Sequence, residues 1–342
     1  MSKAKVSEVN RVWRLRNRPI GDLNDDVLGF DEEAIPEPGA GEFLFRLNYL
    51  SLDPTNIIWM KDVDQYMPPV GLNEPMRGVV CGTVVKSNHP DYAEGMLVSG
   101  LGQWADYQLG TPGMLSPMGD TGPIPVADAF STLALVGPTA YFGLLDVGEP
   151  KAGETVVVSA AAGAVGSIVG QIAKIKGCRV VGLAGSDEKC GWIKNDLGFD
   201  AAINYRTEDL SKALKAACPD GIDVYFDNVG GKILDACLKL MNLKGRIPTC
   251  GLISQYRATE PVPGPYNYEM LLMQRVRIEG FIVLDYADRY PEAIAALGQW
   301  MAEGKIKVRT EIVDGLEHAL QALKKLYTGE NTGKLMVRVK DV

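Results

Sequence analysis

Histidine is nearly missing from this sequence. His89 and His318 are the two in 342 residues, so a centre built on several imidazoles is excluded. A catalytic zinc takes three protein ligands from His, Cys and carboxylates, and no such set stands at short spacing, so metal-free chemistry is expected. The six cysteines, Cys81, Cys178, Cys190, Cys218, Cys237 and Cys250, stand singly with no C-x-x-C pair. That pattern leaves no disulfide framework and reads as reduced, packed thiols. Long apolar runs are absent too: nothing approaches the roughly 20 residues of a membrane-spanning helix. Met1 to Asn10 carries no apolar signal core, so the expectation is a cytoplasmic protein with no membrane partner. Cations are outnumbered, 35 Lys plus Arg against 43 Asp plus Glu for a formal net charge of -8. Nucleic-acid affinity rests on clustered cations, so no nucleic-acid partner is expected and any basic site must be local.

What is present is globular usage, 46% hydrophobic and 23% charged, in a length that favours two domains at about 150 residues each. From Val6 to Phe130 short apolar or alternating runs are broken by Gly and Pro, as in 42–50, 79–85 and 95–98, which predicts a mostly β domain. From Lys151 the rhythm changes to buried strands alternating with amphipathic helices. Thr155–Ser159, a Gly-rich turn, a helix through Lys176 and Arg179–Ala184 open it, and the alternation continues to Gly245–Ile247. This α/β pattern predicts a doubly wound parallel sheet of the Rossmann kind. The terminal strand Lys334–Val339 does not continue the alternation, so the tail is expected to return to the first domain. The boundaries read as 1–130 with 305–342 for the β-rich domain and 131–304 for the nucleotide domain.

The strongest local signal is Val158-Ser159-Ala160-Ala161-Ala162-Gly163-Ala164-Val165-Gly166-Ser167, lying between a strand and a helix. Glycine admits a phosphate to the backbone, and a helix N-terminus supplies unpaired N–H groups. Ala160 stands where the first glycine of the pattern usually is. The second strand of this domain ends Gly185-Ser186-Asp187-Glu188-Lys189. Ser186 and Lys189, with Tyr205 from the end of the third strand, suit a ribose 2′-phosphate, whereas Asp187 suits a free 2′-hydroxyl. Both readings stand on the residues alone, as does a merely solvated helix start.

With histidine scarce, tyrosine is the best-supplied source of a hydroxyl donor. Tyr66 sits in Gln65-Tyr66-Met67-Pro68-Pro69, where Pro-stiffened backbone would hold its hydroxyl over a cleft; simple loop packing is the alternative. Tyr256, Tyr266 and Tyr268 flank the Pro- and Gly-rich stretch 259–265, which suits a shaped lid. Asn48 and Asp53 end the strand leading to the same cleft, Asp53 before Pro54 reading as a turn-former.

Longer segments carry a resemblance: Tyr49-Leu50-Ser51-Leu52-Asp53-Pro54, Tyr66-Met67-Pro68-Pro69-Val70, Met76-Arg77-Gly78, the Ala160 to Lys174 turn and helix, Phe226-Asp227-Asn228-Val229-Gly230-Gly231, Cys250 to Tyr256 and Asn331-Thr332-Gly333-Lys334. Over nearly its whole length the chain resembles the zinc-independent medium-chain dehydrogenases/reductases, in the group of prostaglandin, alkenal double-bond and curcumin reductases. The resemblance implies a GroES-like β-barrel completed by the C-terminus, a Rossmann domain, NADPH as cofactor and a homodimer. The implied reaction is reduction of the carbon-carbon double bond of α,β-unsaturated aldehydes and ketones, small-molecule substrates. Residue by residue it implies that Gly163, Ala164, Val165 and Gly166 contact the pyrophosphate, and Lys189 and Tyr205 the adenosine phosphate end. Asn228 then lies along the cofactor. The turn with Cys250, Gly251, Ile253, Ser254 and Tyr256, the segment Phe281, Ile282 and Val283, and Asn331 from the tail serve the nicotinamide side. It implies Tyr66 as a catalytic or substrate-binding group and Tyr268 near the nicotinamide, which makes these two the candidate catalytic residues; Asn48, Ile58, Tyr66, Tyr256 and Tyr266 are the candidate substrate contacts by their places in the sequence. The chain departs from the family's Tyr-Met-Arg after Asp-Pro, reading Thr55-Asn56-Ile57-Ile58-Trp59-Met60, which implies a more apolar wall. Competing readings are a quinone or carbonyl/alcohol oxidoreductase on the same scaffold, and a nucleotide-binding protein without turnover.

Overall fold

The computed structural model describes residues 9–342, so most of the Met1 to Asn10 stretch lies outside the described residues. Two compact units emerge: the described residues up to 130, with 311–330 and 335–342, in the first, and 131–310 and 331–334 in the second.

The first unit is β-rich. A short ribbon pairs β1 (Asn10–Leu15) with β2 (Leu28–Glu33). The main antiparallel sheet is built from β3 (Phe43–Ser51), β4 (Arg77–Ser87), β5 (Leu97–Gln103), β6 (Tyr107–Gly110) and β7 (Leu115–Pro117), with helix α1 (Asn56–Met60) between β3 and β4. Strand β3 pairs with both β4 and β6. Eight of its nine residues are buried, as expected of a strand covered on both faces, and Phe43, Phe45, Leu47 and Leu50 are fully inaccessible.

Helix α2 (Val126–Leu133) carries the chain into the second unit, where α3 (Val136–Phe142) follows. Strands β8 (Thr155–Val158), β9 (Arg179–Ala184), β10 (Ala201–Asn204), β11 (Ile222–Phe226), β12 (Met241–Thr249) and β13 (Arg277–Gly280) are parallel, in the order β10-β9-β8-β11-β12-β13. That is the 3-2-1-4-5-6 order of a dinucleotide-binding sheet, which places ligands beyond the C-terminal ends of its strands. The crossovers run through α4 (Ala164–Ile175), α5 (Asp187–Asn195), α6 (Leu210–Ala217) and α7 (Gly231–Leu238). Val156 and Val158 face one apolar layer and Val157 the other, so burial on both sides explains the unbroken β-branched run. Helices α8 (Met270–Met273) and α9 (Tyr290–Ala302) precede the return.

Strands β14 (Thr310–Asp314) and β15 (Lys334–Arg338), with α10 (Ala319–Thr328) between them, extend the first sheet to β14-β15-β3-β4-β5-β7. The return begins later than residue 305. Lys307 exchanges two hydrogen bonds with the Gln171 side chain and Ile306 donates its N–H to Trp300, so 305–310 stays on the second unit. Residues 331–334 also rejoin that unit, because Gly333 donates its N–H to the Ala162 carbonyl at 2.8 Å.

Candidate functional site

At the end of β8 the chain must turn sharply into α4. Ala160 takes φ +48°, the left-handed conformation in which a side chain costs roughly 1–2 kcal/mol, and its carbonyl accepts the Gly163 N–H at 2.8 Å. The turn then closes over Gly166, where a Cβ would lie 2.4 Å from the Ala160 oxygen and 2.9 Å from the Ala161 Cα. Gly163 caps α4 in extended backbone and offers no side-chain cap, which leaves the first-turn amides of Ala164, Val165 and Gly166 and the helix dipole to a ligand. An anion with close backbone approach fits this cradle. Since glycine relieves the Ala160 strain but loosens the unfolded chain, Ala160→Gly is expected to stabilise the protein by about 0.5 kcal/mol. A lower denaturant midpoint for the variant would mean that the Ala160 methyl packs.

A buried polar knot stands beside the turn. Asp227, fully buried at the end of β11, accepts on Oδ1 from the Tyr225 hydroxyl at 2.7 Å, the Val229 and Gly230 amides at 2.9 and 2.8 Å, and the Ser159 hydroxyl at 3.3 Å. Burial raises its pKa, against the pull of these donors, and Oδ2 is buried with no hydrogen-bond partner among the described residues. Asn228 gives its side-chain amide to the Ser159 carbonyl at 2.7 Å and its N–H to Ser159 Oγ at 2.9 Å. The Asp227 carbonyl accepts from Cys250 and Gly251, the Asn228 carbonyl from Ile253, and the Val229 carbonyl from the Ser254 hydroxyl at 2.6 Å. Tyr256 folds back so that its hydroxyl receives the Leu252 N–H at 2.9 Å. Burial pushes the Cys250 thiol up to about 12, with Asp227 adding to it, so it stays neutral. Gly163, Asn228, the 250–256 turn and the tail with Asn331 therefore form one connected surface at the C-terminal edge of the sheet. Ser159 and Asp227, which tie it together, were not singled out in the sequence.

At the end of β9, Ser186 caps α5 by accepting the Lys189 N–H at 3.3 Å. The Tyr205 hydroxyl and Arg206 Nε lie 2.8 and 3.3 Å from where a Gly185 Cβ would be. Arg206 is thus a second cation beside Ser186, Lys189 and Tyr205; its adjacency to Tyr205 was the available signal. Asp187 is engaged by the Asn204 side-chain amide at 2.7 Å. Phe281 and Val283 pack into the core, Phe281 edge-on to Phe226 with ring centroids 6.2 Å apart. The strand ends at Gly280, before Phe281-Ile282-Val283, and is exposed rather than buried, because β13 is the last strand of its sheet. Tyr266 and Tyr268 are exposed, on a segment that Asn267 anchors to Asp235 of α7.

In the first unit, Tyr66 projects from the 61–70 loop. Gln65 clamps that loop to the Ile58 and Lys61 carbonyls at 3.0 and 3.2 Å, Arg18 binds the Met60 carbonyl at 2.8 Å, and Arg77 binds that of Pro68 at 2.8 Å. Tyr66 is 42% exposed, while its hydroxyl receives Trp59 Nε1–H at 2.9 Å and meets the Thr55 hydroxyl. Burial raises its pKa, and the bonds to Thr55 and Trp59 hold it back. The wall expected of Ile57, Ile58 and Trp59 reduces to Ile58: Ile57 is fully buried, Trp59 nearly so, and Ile58 is partly exposed. Asn48 is corrected too. It is fully buried, giving its amide to the Asp341 carbonyl at 2.9 Å and accepting from Thr83 at 2.7 Å, so it fastens the C-terminal tail and has no face for substrate.

Comparison with known proteins gives the family and supports the fold. Residues 11–118 match the N-terminal domain of oxidoreductase, and residues 164–299 match the zinc-binding dehydrogenase family. The chain is 46% identical to the NADPH-dependent curcumin reductase of Escherichia coli (strain K12), over 96% of this chain and 97% of that one. It is 42% identical to a 2-alkenal reductase (NADP(+)-dependent) of Nicotiana tabacum, over 89% of each. The crystal structure of CurA in complex with NADPH from Vibrio vulnificus superposes with a TM-score of 0.91 at 43% identity, covering 97% of this chain and 100% of that one. Among the described residues no three His, Cys, Asp or Glu side chains are grouped to hold a metal ion. With both family domains in place and relatives matching end to end, the chain belongs to the zinc-independent group of the medium-chain dehydrogenases/reductases.

Proposed function

We propose that the protein is an NADPH-dependent reductase of the carbon-carbon double bond in α,β-unsaturated aldehydes and ketones. The observation that carries the cofactor half is the uncapped N-terminus of α4 behind the turn that Gly166 closes, with Ser186, Lys189, Tyr205 and Arg206 gathered at the end of β9. Two cations and two hydroxyls match a 2′-phosphate, and Asp187, already held by Asn204, is less available to a 2′-hydroxyl. The reaction half is supported by relatives named as curcumin and 2-alkenal reductases across nearly the whole chain. Gly163, Ala164, Val165 and Gly166 would receive the pyrophosphate, and Asn228, Cys250, Gly251, Ile253, Ser254, Tyr256, Phe281, Ile282, Val283 and Asn331 the nicotinamide end. NADPH, when bound, supplies the hydride that adds to the β-carbon, and a proton that comes ultimately from solvent adds to the α-carbon of the resulting enolate. Tyr66 presents its hydroxyl to the carbonyl oxygen, where negative charge develops, with Ile58 near it in the first unit; Tyr256, Tyr266 and Tyr268 are the second unit's candidate contacts for cofactor and substrate. Incubation with NADPH and a simple enone should give the saturated ketone; an allylic alcohol, or oxidation only with quinones, would overturn the reading.

Lys189→Ala should raise the NADPH dissociation constant about tenfold or more, since a charge-assisted phosphate contact is worth roughly 1.5–3 kcal/mol, and leave NADH binding nearly unchanged. Equal weakening of both cofactors in a fluorescence titration would remove the phosphate role.

A homodimer is supported by β13, whose four residues are all exposed at the edge of the second unit's sheet, with Leu243, Leu272 and Met273 also exposed. Light scattering should return twice the chain mass; the mass of one chain would overturn it. A cytoplasmic location accords with six free cysteines and with no single helix, among the described residues, long and apolar enough to cross a membrane.

A further inference from the structure

Thr55 occupies the position before α1, where a threonine ordinarily turns its hydroxyl onto the helix's own amides. Here its backbone is already helical, at φ −67° and ψ −18°, and its side chain makes no cap bond. The Thr55 hydroxyl meets Tyr66 Oη instead. One helical turn later, on the same face of α1, Trp59 Nε1 lies 2.9 Å from the same oxygen. An indole N–H can only donate, so Trp59 fills one acceptor site of the tyrosine. A threonine hydroxyl can rotate to donate into the other. With both acceptor sites filled from beneath, the single Tyr66 proton has one direction left, away from α1 and toward the exposed side of the ring. Trp59 is itself held by its burial and by the Arg77 guanidinium, 5.9 Å above its ring.

We propose that Thr55 and Trp59 are positioning residues that, by donating together to Tyr66 Oη, aim its proton at the substrate's carbonyl oxygen and strengthen it as a donor. This rests on the reading of Tyr66 given above. The charged groups facing the phenol are the Asp53 carboxylate, which disfavours its ionisation, and the Arg77 guanidinium, which favours it. Neither is altered by changing Thr55.

Thr55→Val keeps the shape and removes the hydroxyl. Losing one donor of this strength should lower kcat for an enone about tenfold and leave the NADPH dissociation constant unchanged. Tyr66 should also ionise at higher pH, read without turnover as the tyrosinate absorbance lost when Tyr66→Phe is made in each background. Thr55→Ser should restore both. In the Tyr66→Phe background Thr55→Val should have no further effect on kcat. If Tyr66→Phe is impaired while Thr55→Val matches the wild type in kcat and in phenol ionisation, the positioning role is wrong and the reading of Tyr66 survives. If Tyr66→Phe itself is without effect, that reading fails and the inference falls with it. Trp59→Phe should move both readouts in the direction of Thr55→Val.

Discussion

Tyr66→Phe is expected to lower kcat for an enone about 10²-fold while leaving the NADPH dissociation constant unchanged, as removal of one preorganised donor at a developing oxyanion does. Other donors are scarce, since His89 and His318 are the only imidazoles in the chain. The clamps at Gln65, Arg18 and Arg77 hold the loop without using the Tyr66 hydroxyl. Burial raises the phenol above its ordinary value, so Tyr66 is protonated and able to donate throughout neutral pH. The kcat profile should therefore stay flat there and fall only on the alkaline side, with that limb absent in Tyr66→Phe. The variant also strands the buried Trp59 N–H, which costs about 1–3 kcal/mol, so a lower melting temperature is expected alongside the kinetic loss. A variant that melts earlier but turns over like the wild type would make Tyr66 a packing residue, and Tyr268 would become the leading source of the hydroxyl.

What the sequence made legible follows from the range of the forces involved. The predicted 179–184 strand matches β9 residue for residue, because a buried β-branched run is written within one element. The turn from Val158 to Ser167 was legible because its demands are local. Contacts over long separations were not. Asn48 is held by Lys340 and Asp341, nearly the whole chain away, and the end of β3 gives no sign of this. Ile57 and Ile58 are equally apolar, and a five-residue helix is too short for its period to say which one faces inward. Ser159 and Asp227 look ordinary in sequence, yet they end adjacent parallel strands 68 positions apart and meet only once β8 lies beside β11. The return of Gly333 to the Ala162 carbonyl belongs to the same class, since no boundary signal marks four residues that cross back.

Gly166→Ala should abolish cofactor binding at any practical concentration, raising the NADPH dissociation constant by more than about 10²-fold. The added Cβ would lie 2.4 Å from the Ala160 carbonyl oxygen and 2.9 Å from the Ala161 Cα, both backbone atoms of the turn, so no side chain can swing aside. Relief has to come from opening the turn or shifting the first residues of α4, and either moves the amides that would meet the pyrophosphate. Overpacking of this kind costs typically 1–3 kcal/mol in stability, so the protein should still fold while the binding surface is lost. Gly163→Ala supplies the graded comparison: its Cβ would approach only the Ala160 oxygen, at 3.0 Å, and a loss of binding well short of that for Gly166→Ala is expected. Gly298→Ala, inside α9 with nothing within 4 Å of the new Cβ, should bind NADPH like the wild type and gain up to about 1 kcal/mol from helix propensity. The ranking is the test. If Gly166→Ala and Gly163→Ala weaken binding equally, the backbone approach that Gly166 permits is not what holds the cofactor, and the phosphate contacts at Lys189 and Arg206 would have to carry the affinity.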